Sequence, residues 1–597
     1  MIRPNGHRRR GRPPARRGGG QAAPAAGQPP DRRAPSPRDR RRARRLVHGP
    51  AVPPPAHPGG RVRARGRAAH RRGVPGLAAR ARAGPRARRG PRSARRPRPP
   101  LRGLRAGPRP PVRSGRTLMP LPRSVLADLR RIVGDHHVVH DANDLRIFER
   151  DGSIAGAVPD AVVLPANRDE VVQVVRLAAR LGIPVVPRGA GTGLSGGAIT
   201  LRGGIALQLS RMRRIVEIDT RGRTAVVEPG VVNADLQQAA GRLGLFYAPD
   251  PSSQKACTIG GNAAENSGGP HCLYYGVTTN HVIGLEVVFA DGSVEWLGGD
   301  APDRVGLDLL GVLVGSEGTL GTITRIKVRL VPLPESVVTL MAAFPTIEAA
   351  SHAVSDVIGH GIVPAALEMM DQVTIGAVEA HYRAGYPTDA GAVLLVEVDG
   401  LQESCGELSE AVERVLRANE ATNLRTAADA AERELLWAGR KGAIGALGRI
   451  KPNYYLHDGV VPRTRLPDVL RRVTEIGEHY RLPVANVFHA GDGNLHPNIL
   501  FDLREAGIMD RVGGAGEEML RAVVELGGTL SGEHGIGVEK NAFMPWIYAP
   551  DDLEAMLRVK HVFDPAGMLN PGKIFPDPER DPRLVVRAGF CAEAKWW

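Results

Sequence analysis

Three histidines and a glutamate fall in two short, glycine-flanked stretches of this 597-residue chain. The first is Val487-Phe-His-Ala-Gly-Asp-Gly-Asn-Leu-His-Pro-Asn498, with His489 and His496 on either side of Gly491-Asp-Gly-Asn494. That tetrad is a turn signal between two strand-like ends, so the two imidazoles can face each other across a hairpin. Asn498 stands two residues past His496 and shares its face. The second stretch, Ser531-Gly-Glu-His-Gly-Ile-Gly537, sets Glu533 and His534 between glycines. Two histidines and a carboxylate make a donor set for a first-row divalent metal, with positions left open for a substrate. The same pattern also fits two structural histidines satisfied beside a turn.

A different chemistry is written in Pro187-Arg-Gly-Ala-Gly-Thr-Gly-Leu-Ser-Gly-Gly-Ala198, where residues 189–197 hold five glycines. Such a run does not fill a core; it frees the backbone to take positive φ and to lie flat against something large. Successive exposed N–H groups form an anion-binding concavity whose natural occupant is the pyrophosphate of a dinucleotide. Gly191, Gly193 and Gly196 match G-x-G-x-x-G, but the Rossmann form needs a helix directly after the loop. Residues 199–209 are instead glycine-broken and then strand-like, so NAD is set aside although Glu217 lies about where a ribose acid would. A flexible linker would be Ser-rich and polar, not wedged behind the Val-rich run 183–186. Two further blocks follow. Asp250-Pro-Ser-Ser-Gln-Lys-Ala-Cys-Thr-Ile-Gly-Gly-Asn-Ala-Ala-Glu-Asn-Ser-Gly-Gly269 offers amides and hydroxyls in place of apolar mass, and Gly315-Ser-Glu-Gly-Thr-Leu-Gly-Thr-Ile-Thr324 is the third glycine-rich block.

The elements that must position these loops read as helices and strands from residue 161 onward. A strand at 161–164 precedes Asn167 and Glu170 at capping-box spacing, and Val171, Val174, Val175 and Ala178 make the apolar stripe of a helix that Gly182 stops. A second helix carries Leu236 and Ala240 on its apolar face. Strands are expected at 284–289 and 325–331, with Pro332 and Pro334 marking a domain boundary. Beyond it, helices at 348–359 and 401–419 and a strand at 393–398 suggest helices packed on an antiparallel sheet.

The formal charge of +19 has to be divided before it means anything. Residues 1–118 hold 35 Arg, no Lys and 2 Asp, a net of +33, and the remaining 479 residues are acidic at −14. The Arg/Pro/Gly/Ala-rich first segment has too little apolar surface to offset its chain entropy, so disorder is expected there. No apolar h-region supports a signal peptide. The composition is that of GC-rich DNA read without selection, and the expectation is an overcalled start with the mature protein opening near Met119. The acidic remainder lacks basic–aromatic interleaving, which argues against a nucleic-acid partner. Cys257, Cys272, Cys405 and Cys591 form no CxxC pair, pointing to a reducing compartment and to no iron–sulfur site in this chain. No apolar run reaches the length of a transmembrane segment. The expected location is cytoplasmic or peripheral on the inner face of the membrane.

The three glycine-rich blocks, in this order and spacing, resemble those of the FAD-linked oxidases of the vanillyl-alcohol oxidase type. The resemblance spans residues 119–576 and is strongest to the flavin subunits of bacterial glycolate oxidases. D-lactate and D-2-hydroxyglutarate dehydrogenases are more distant. It implies an α+β fold: a two-part, non-Rossmann FAD-binding domain over 119–333 and an α+β substrate or cap domain with an antiparallel sheet over 334–560. A C-terminal segment, 561–597, returns to the FAD domain.

The residues implied for FAD are Arg188, Gly189, Ala190, Gly191, Thr192, Gly193 and Ser195 in the first block. In the second they are Pro251, Ser252, Thr258, Gly260, Gly261, Asn262, Asn266, Gly268 and Gly269, and in the third Glu317, Gly321 and Ile323. The first loop has no His, so the flavin is expected to be non-covalent. The resemblance also implies a divalent metal, expected to be zinc, on His489, His496 and Glu533, with His534 as general base and Asn498 beside them. Arg440 matches the arginine that holds a substrate carboxylate, a role suited to a guanidinium fork, with Lys441 next in register. Pairing with Glu434 on a helix surface is the plainer reading of Arg440. The stretches 444–449 and 456–458 depart from the glycolate oxidase pattern. The implied reaction is oxidation of a small 2-hydroxy acid, glycolate or else D-lactate, with hydride transfer to flavin. Electrons would then pass to an iron–sulfur or second flavin-domain partner subunit, or to a quinone or cytochrome. A metal hydrolase would use the His/His/Glu set without needing the three FAD-type blocks.

Overall fold

The computed structural model describes residues 121–301 and 306–576. The expectations for residues 1–118, for Cys591 and for the tail beyond 576 lie outside the described residues.

The first sheet is made of short apolar runs. Its strands are β1 (Val138–Val139), β2 (Ala161–Val163), β3 (Val185–Arg188) and β4 (Ile205–Gln208), in the order β1–β2–β4–β3. β2 and β3 both run parallel to β4. A parallel strand is buried on both faces, which is why β2 and the first three residues of β4 are all apolar. Between β2 and β3 lies α1 (Arg168–Leu181). Asn167 accepts from the Glu170 amide at 3.0 Å, and the Glu170 carboxylate reaches back to the Ala166 amide at 2.8 Å. The capping pair forms as its spacing predicts, with the return bond one residue upstream of the cap. Val171, Val174, Val175 and Ala178 are all buried. The glycine loop leaves the end of β3, and turns, not a helix, lead into β4.

The second sheet is antiparallel throughout. It contains β5 (Ile215–Asp219), β6 (Thr224–Val227), β7 (Val282–Val288), β8 (Val294–Gly298) and β9 (Thr322–Arg329), in the order β5–β6–β9–β7–β8. Two helices, α2 (Asn233–Gly241) and α3 (Ile259–Glu265), lie between β6 and β7 in the chain and share an apolar core with this sheet through Leu236, Ala240, Ile259 and Ala263.

The third sheet has seven antiparallel strands. They are β10 (Ser336–Phe344), β11 (Ala366–Asp371), β12 (Ala392–Gly400), β13 (Asn423–Thr426), β14 (Asn453–Leu456), β15 (Val484–Phe488) and β16 (Pro497–Phe501). Their order is β13–β10–β12–β11–β15–β16–β14. The helices threaded between and after them are α4 (Ile347–Gly359), α5 (Gln372–Tyr382), α6 (Gln402–Ala418), α7 (Ala430–Lys441), α8 (Leu466–Tyr480) and α9 (Ile508–Glu525). Strand periodicity divides the side chains between two layers. Leu340, Ala342 and Phe344 pack with α4, α6 and α8, and Met341 and Ala343 with α5 and α7. Ala366, Met370, Val393 and Leu395 also face α5 and α7, so Glu368 of β11 and Glu397 of β12 point the same way by alternation. Two carboxylates on an apolar sheet face require partners, and those partners build the site.

The chain then returns to its beginning. Leu569 bridges to Val185, and the Asn570 side chain donates to the carbonyls of Gly197 and Glu317. Lys573, buried, donates to Ile199 O at 2.7 Å. No described helix is long and apolar enough to cross a membrane.

Candidate active site

β15 ends at Phe488, His489 follows it, and the turn after brings His496 back so that the two rings stand 5.2 Å apart at 84°. Glu533 Oε1 lies 3.1 Å from His489 Nε2 and 3.4 Å from His496 Nε2. The donor atoms of all three residues fall within 4.8 Å of one another. His496 Nε2 is buried without a hydrogen-bond partner, an orphan that a metal ion would satisfy. Burial alone would raise the Glu533 carboxyl, but His489 and His496 hold it down at about 2. His534 stacks on His496 with centroids 4.9 Å apart. Its burial pushes the imidazole down to about 4, the neutral form that a proton acceptor needs.

Asp458, His496 and His534 meet the same spacing and form a second candidate donor set. Its carboxylate, however, is already occupied. Asp458 Oδ2 accepts from Ser531 Oγ at 2.7 Å and from the amides of Gly532 at 3.0 Å and His534 at 2.9 Å. Lys540, fully buried, adds its Nζ at 3.4 Å. Burial opposes the charge, yet His534 and Lys540 keep Asp458 well below its ordinary value. Asp458 is the anchor around which the 531–535 loop folds, and the loop in turn presents Glu533 and His534. Both sets converge equally; with Asp458 committed to its loop and to Lys540, we take His489, His496 and Glu533 as the set open to a cation.

Helix α7 supplies the facing wall. Arg433, Trp437 and Arg440 recur at helical spacing on its sheet-facing side. Glu397 accepts a two-point bond from Arg433 at 2.9 Å and one from Trp437 Nε1 at 2.6 Å. Glu368 takes the next position: it is ion-paired with Arg440 and lies 2.7 Å from His489 Nδ1 through its other oxygen. Arg440 is thus buried and paired with Glu368, not with Glu434 on a surface, and its Nε has no hydrogen-bond partner. Lys441 turns the other way, to Asp250 at 3.1 Å. Asn498 is fully buried; its amide donates to the carbonyls of His496 at 2.7 Å and Ala485 at 3.2 Å, and its Oδ1 is unpartnered.

The three glycine-rich blocks converge with the 531–540 loop. Gly191 has φ 73°, and a Cβ there would strike the Arg188 guanidinium. That guanidinium is spent on the carbonyls of Arg150 at 2.6 Å and Ala198 at 3.2 Å. Arg188 therefore shapes the loop from beneath. Ala190 is exposed and Gly189, Gly191, Thr192 and Gly193 are half-buried, while Ser195 Oγ is buried with no partner. A part-exposed loop above an orphaned hydroxyl fits a pyrophosphate.

In the second block, Thr258 caps α3 through Gly261, Gly260 packs on Pro229, and Asn262 bonds Asn233. Asn266, at φ 53°, accepts from Thr279 N at 2.8 Å. Pro251 abuts Gly269, and Ser252 is exposed. Gly268 touches the other centre: a Cβ on it would lie 2.5 Å from Glu533 Oε2. In the third block Glu317 accepts from the amides of Ile536 at 2.8 Å and Gly537 at 2.9 Å. Gly321 packs against Val287, and Ile323 belongs to the apolar core of the second sheet. The side chains of Arg188, Glu317 and Ile323, and the Oδ1 of Asn262, are used within the protein.

Comparison with known proteins shows the family. Residues 159–298 match the FAD binding domain family, and residues 333–574 match the C-terminal domain of FAD linked oxidases. The chain is 47% identical over 458 residues to glycolate oxidase subunit GlcD of Escherichia coli, covering 76% of this chain and 92% of that protein. It is 43% identical over 425 residues to the Bacillus subtilis subunit of the same name, covering 71% and 90%. A D-lactate dehydrogenase of Anaerostipes hadrus is 34% identical over 462 residues, covering 75% and 95%. Among solved structures, substrate-bound p-cresol methylhydroxylase superposes with a TM-score of 0.67 at 18% identity, over 77% of this chain and 98% of that one, a likeness of fold. The chain belongs to the FAD-linked oxidases.

Proposed function

We propose that this protein oxidises a small 2-hydroxy acid, glycolate first and D-lactate second, to the corresponding 2-oxo acid. The observation that carries the reading is the placement of Glu533, a member of the His/His/Glu set, directly against Gly268 of a flavin-binding block. That contact supports a reading in which the hydroxyl is activated next to the electron acceptor. The strong identity to two subunits named for glycolate oxidase supports the substrate.

FAD, when bound, supplies a two-electron acceptor. His489, His496 and Glu533 would hold a divalent metal, zinc by donor type, whose contribution is Lewis acidity toward a hydroxyl. Arg440 offers its unpartnered Nε to the substrate carboxylate. His534, neutral by burial, takes the hydroxyl proton. Asp458 keeps His534 and Glu533 in place through their amides. Asn498 Oδ1, buried and unpartnered next to the backbone of His496, is a free acceptor. The electrons that bound FAD would accept have to leave the chain again. The relatives' names as oxidase subunits support a partner subunit; in our reading it is an iron–sulfur or second flavin protein, and the chain works in the cytoplasm or at the inner face of the membrane.

The test is an absorbance spectrum of the purified protein before and after anaerobic glycolate, with D-lactate in parallel. Flavin bands that bleach are expected, faster with glycolate. Faster bleaching by D-lactate makes D-lactate dehydrogenation the function. A yellow protein that neither acid bleaches, even with added zinc, overturns the substrate class.

A further inference from the structure

Glu368 is one of two acids in the strand Ala366–Asp371, and it sits at the junction of the two halves of the site. We propose that Glu368 is a positioning residue that sets His489 for metal binding and, with its other oxygen, restrains Arg440. The inference rests on the metal and carboxylate roles given to those two residues above.

Strand alternation sends Glu368 to the α7 face of the third sheet, where its side chain is fully buried. The neighbouring strand β15 pairs Phe488 with Met369, so His489 emerges beside it. Glu368 Oε1 lies 2.7 Å from His489 Nδ1. A carboxylate can only accept, so His489 donates from Nδ1 to Glu368 and, as the protonated ring, from Nε2 to Glu533, 3.1 Å away; a cation bound there would take the place of the Nε2 proton while the Nδ1 proton stays on Glu368. A carboxylate behind a ligating histidine fixes both tautomer and ring direction. Glu368 Oε2 meanwhile is ion-paired with Arg440. The same carboxylate thus strengthens one ligand of the cation site and neutralises part of the cation that would receive a substrate anion. Its removal should move the two affinities in opposite directions. Damage that merely loosened the fold would weaken both.

The experiment uses the full flavin-loaded chain, stripped of metal by a chelator, as wild type and as Glu368→Gln. Zinc affinity is measured by competition with a chromophoric chelator, and oxalate affinity by perturbation of the flavin spectrum without zinc. Zinc binding weakened about 10–100-fold, with oxalate binding several-fold tighter and flavin content unchanged, is the expected result. Equal zinc affinity in the two proteins overturns the proposal while leaving the metal reading intact, and so does a loss of both affinities together. A wild-type protein that takes up no zinc overturns the metal reading and the proposal with it. Should Glu368→Gln fail to accumulate, the double variant Glu368→Gln, Arg440→Gln keeps the buried pair neutral. Its zinc affinity must show the same loss, and wild-type affinity in it overturns the proposal.

Discussion

His271 offers a sharp test of how the flavin-binding blocks are tied to the helix that carries Arg440. Its Nδ1 lies 3.0 Å from Asp250 Oδ2 and its Nε2 3.1 Å from Glu397 Oε1. Around this bridge, α7 contributes Lys441 on Asp250, Arg433 on Glu397 and the Trp437 ring stacked on the imidazole at 5.6 Å, and Asp399 lies further along β12. Burial would lower the imidazole, but the two carboxylates lift it from its ordinary 6.5 to about 10. The rise converts to an upper figure of roughly 5 kcal/mol at about 1.4 kcal/mol per unit. The depressed values of Asp250 and Glu397 report the same attractions and are not added. In His271→Gln both carboxylates keep their Lys and Arg partners, so the expected loss is roughly 2–4 kcal/mol.

The sign fixes the pH window. A raised folded-state value means the native protein holds the proton longer than the unfolded chain. The bridge therefore contributes fully below pH 6.5 and is lost as pH rises through about 10. Urea unfolding followed by circular dichroism at intervals from pH 6 to 10.5 should show the wild-type advantage over His271→Gln shrinking across that window. A difference that stays constant with pH would refute a charged bridge and leave His271 a neutral packing residue.

Three other outcomes follow from the same geometry. Gly191→Ala places a Cβ at positive φ against the Arg188 guanidinium, and the purified variant should lose most of its bound flavin, read as the ratio of flavin to protein absorbance. Asp458→Ala removes the acceptor for the buried amides of Gly532 and His534 at roughly 1–3 kcal/mol each; the unfolding midpoint should fall and kcat should fall further, since Glu533 and His534 lose their support. Stripping divalent metal with a chelator should cut glycolate-dependent bleaching by about a hundredfold or more with flavin retained, and zinc should restore it.

How much of this was legible in the sequence follows from how far apart the interacting residues stand. The glycine loop could be read because its signal is local: composition, a preceding strand and the missing helix all lie within about twenty residues. The helix 168–181 was legible for the same reason, with cap, stripe and stop in one stretch. His489 and His496 could be paired because a turn between them sets the distance, and Glu533 joined them by donor chemistry and family likeness. Asp458, Glu368 and His271 carried no such signal. Asp458 meets its loop 73 or more residues later, Glu368 meets His489 across 121, and His271 meets Glu397 across 126. Each is a single charged residue whose meaning is set by which strand or helix arrives opposite it. Alternation along β11 and β12 could have marked Glu368 and Glu397 as charges on an apolar face, and a charge there always implies a partner. The sequence does not say which partner. That depends on strand order in the seven-stranded sheet, a long-range property set by burial of the whole layer.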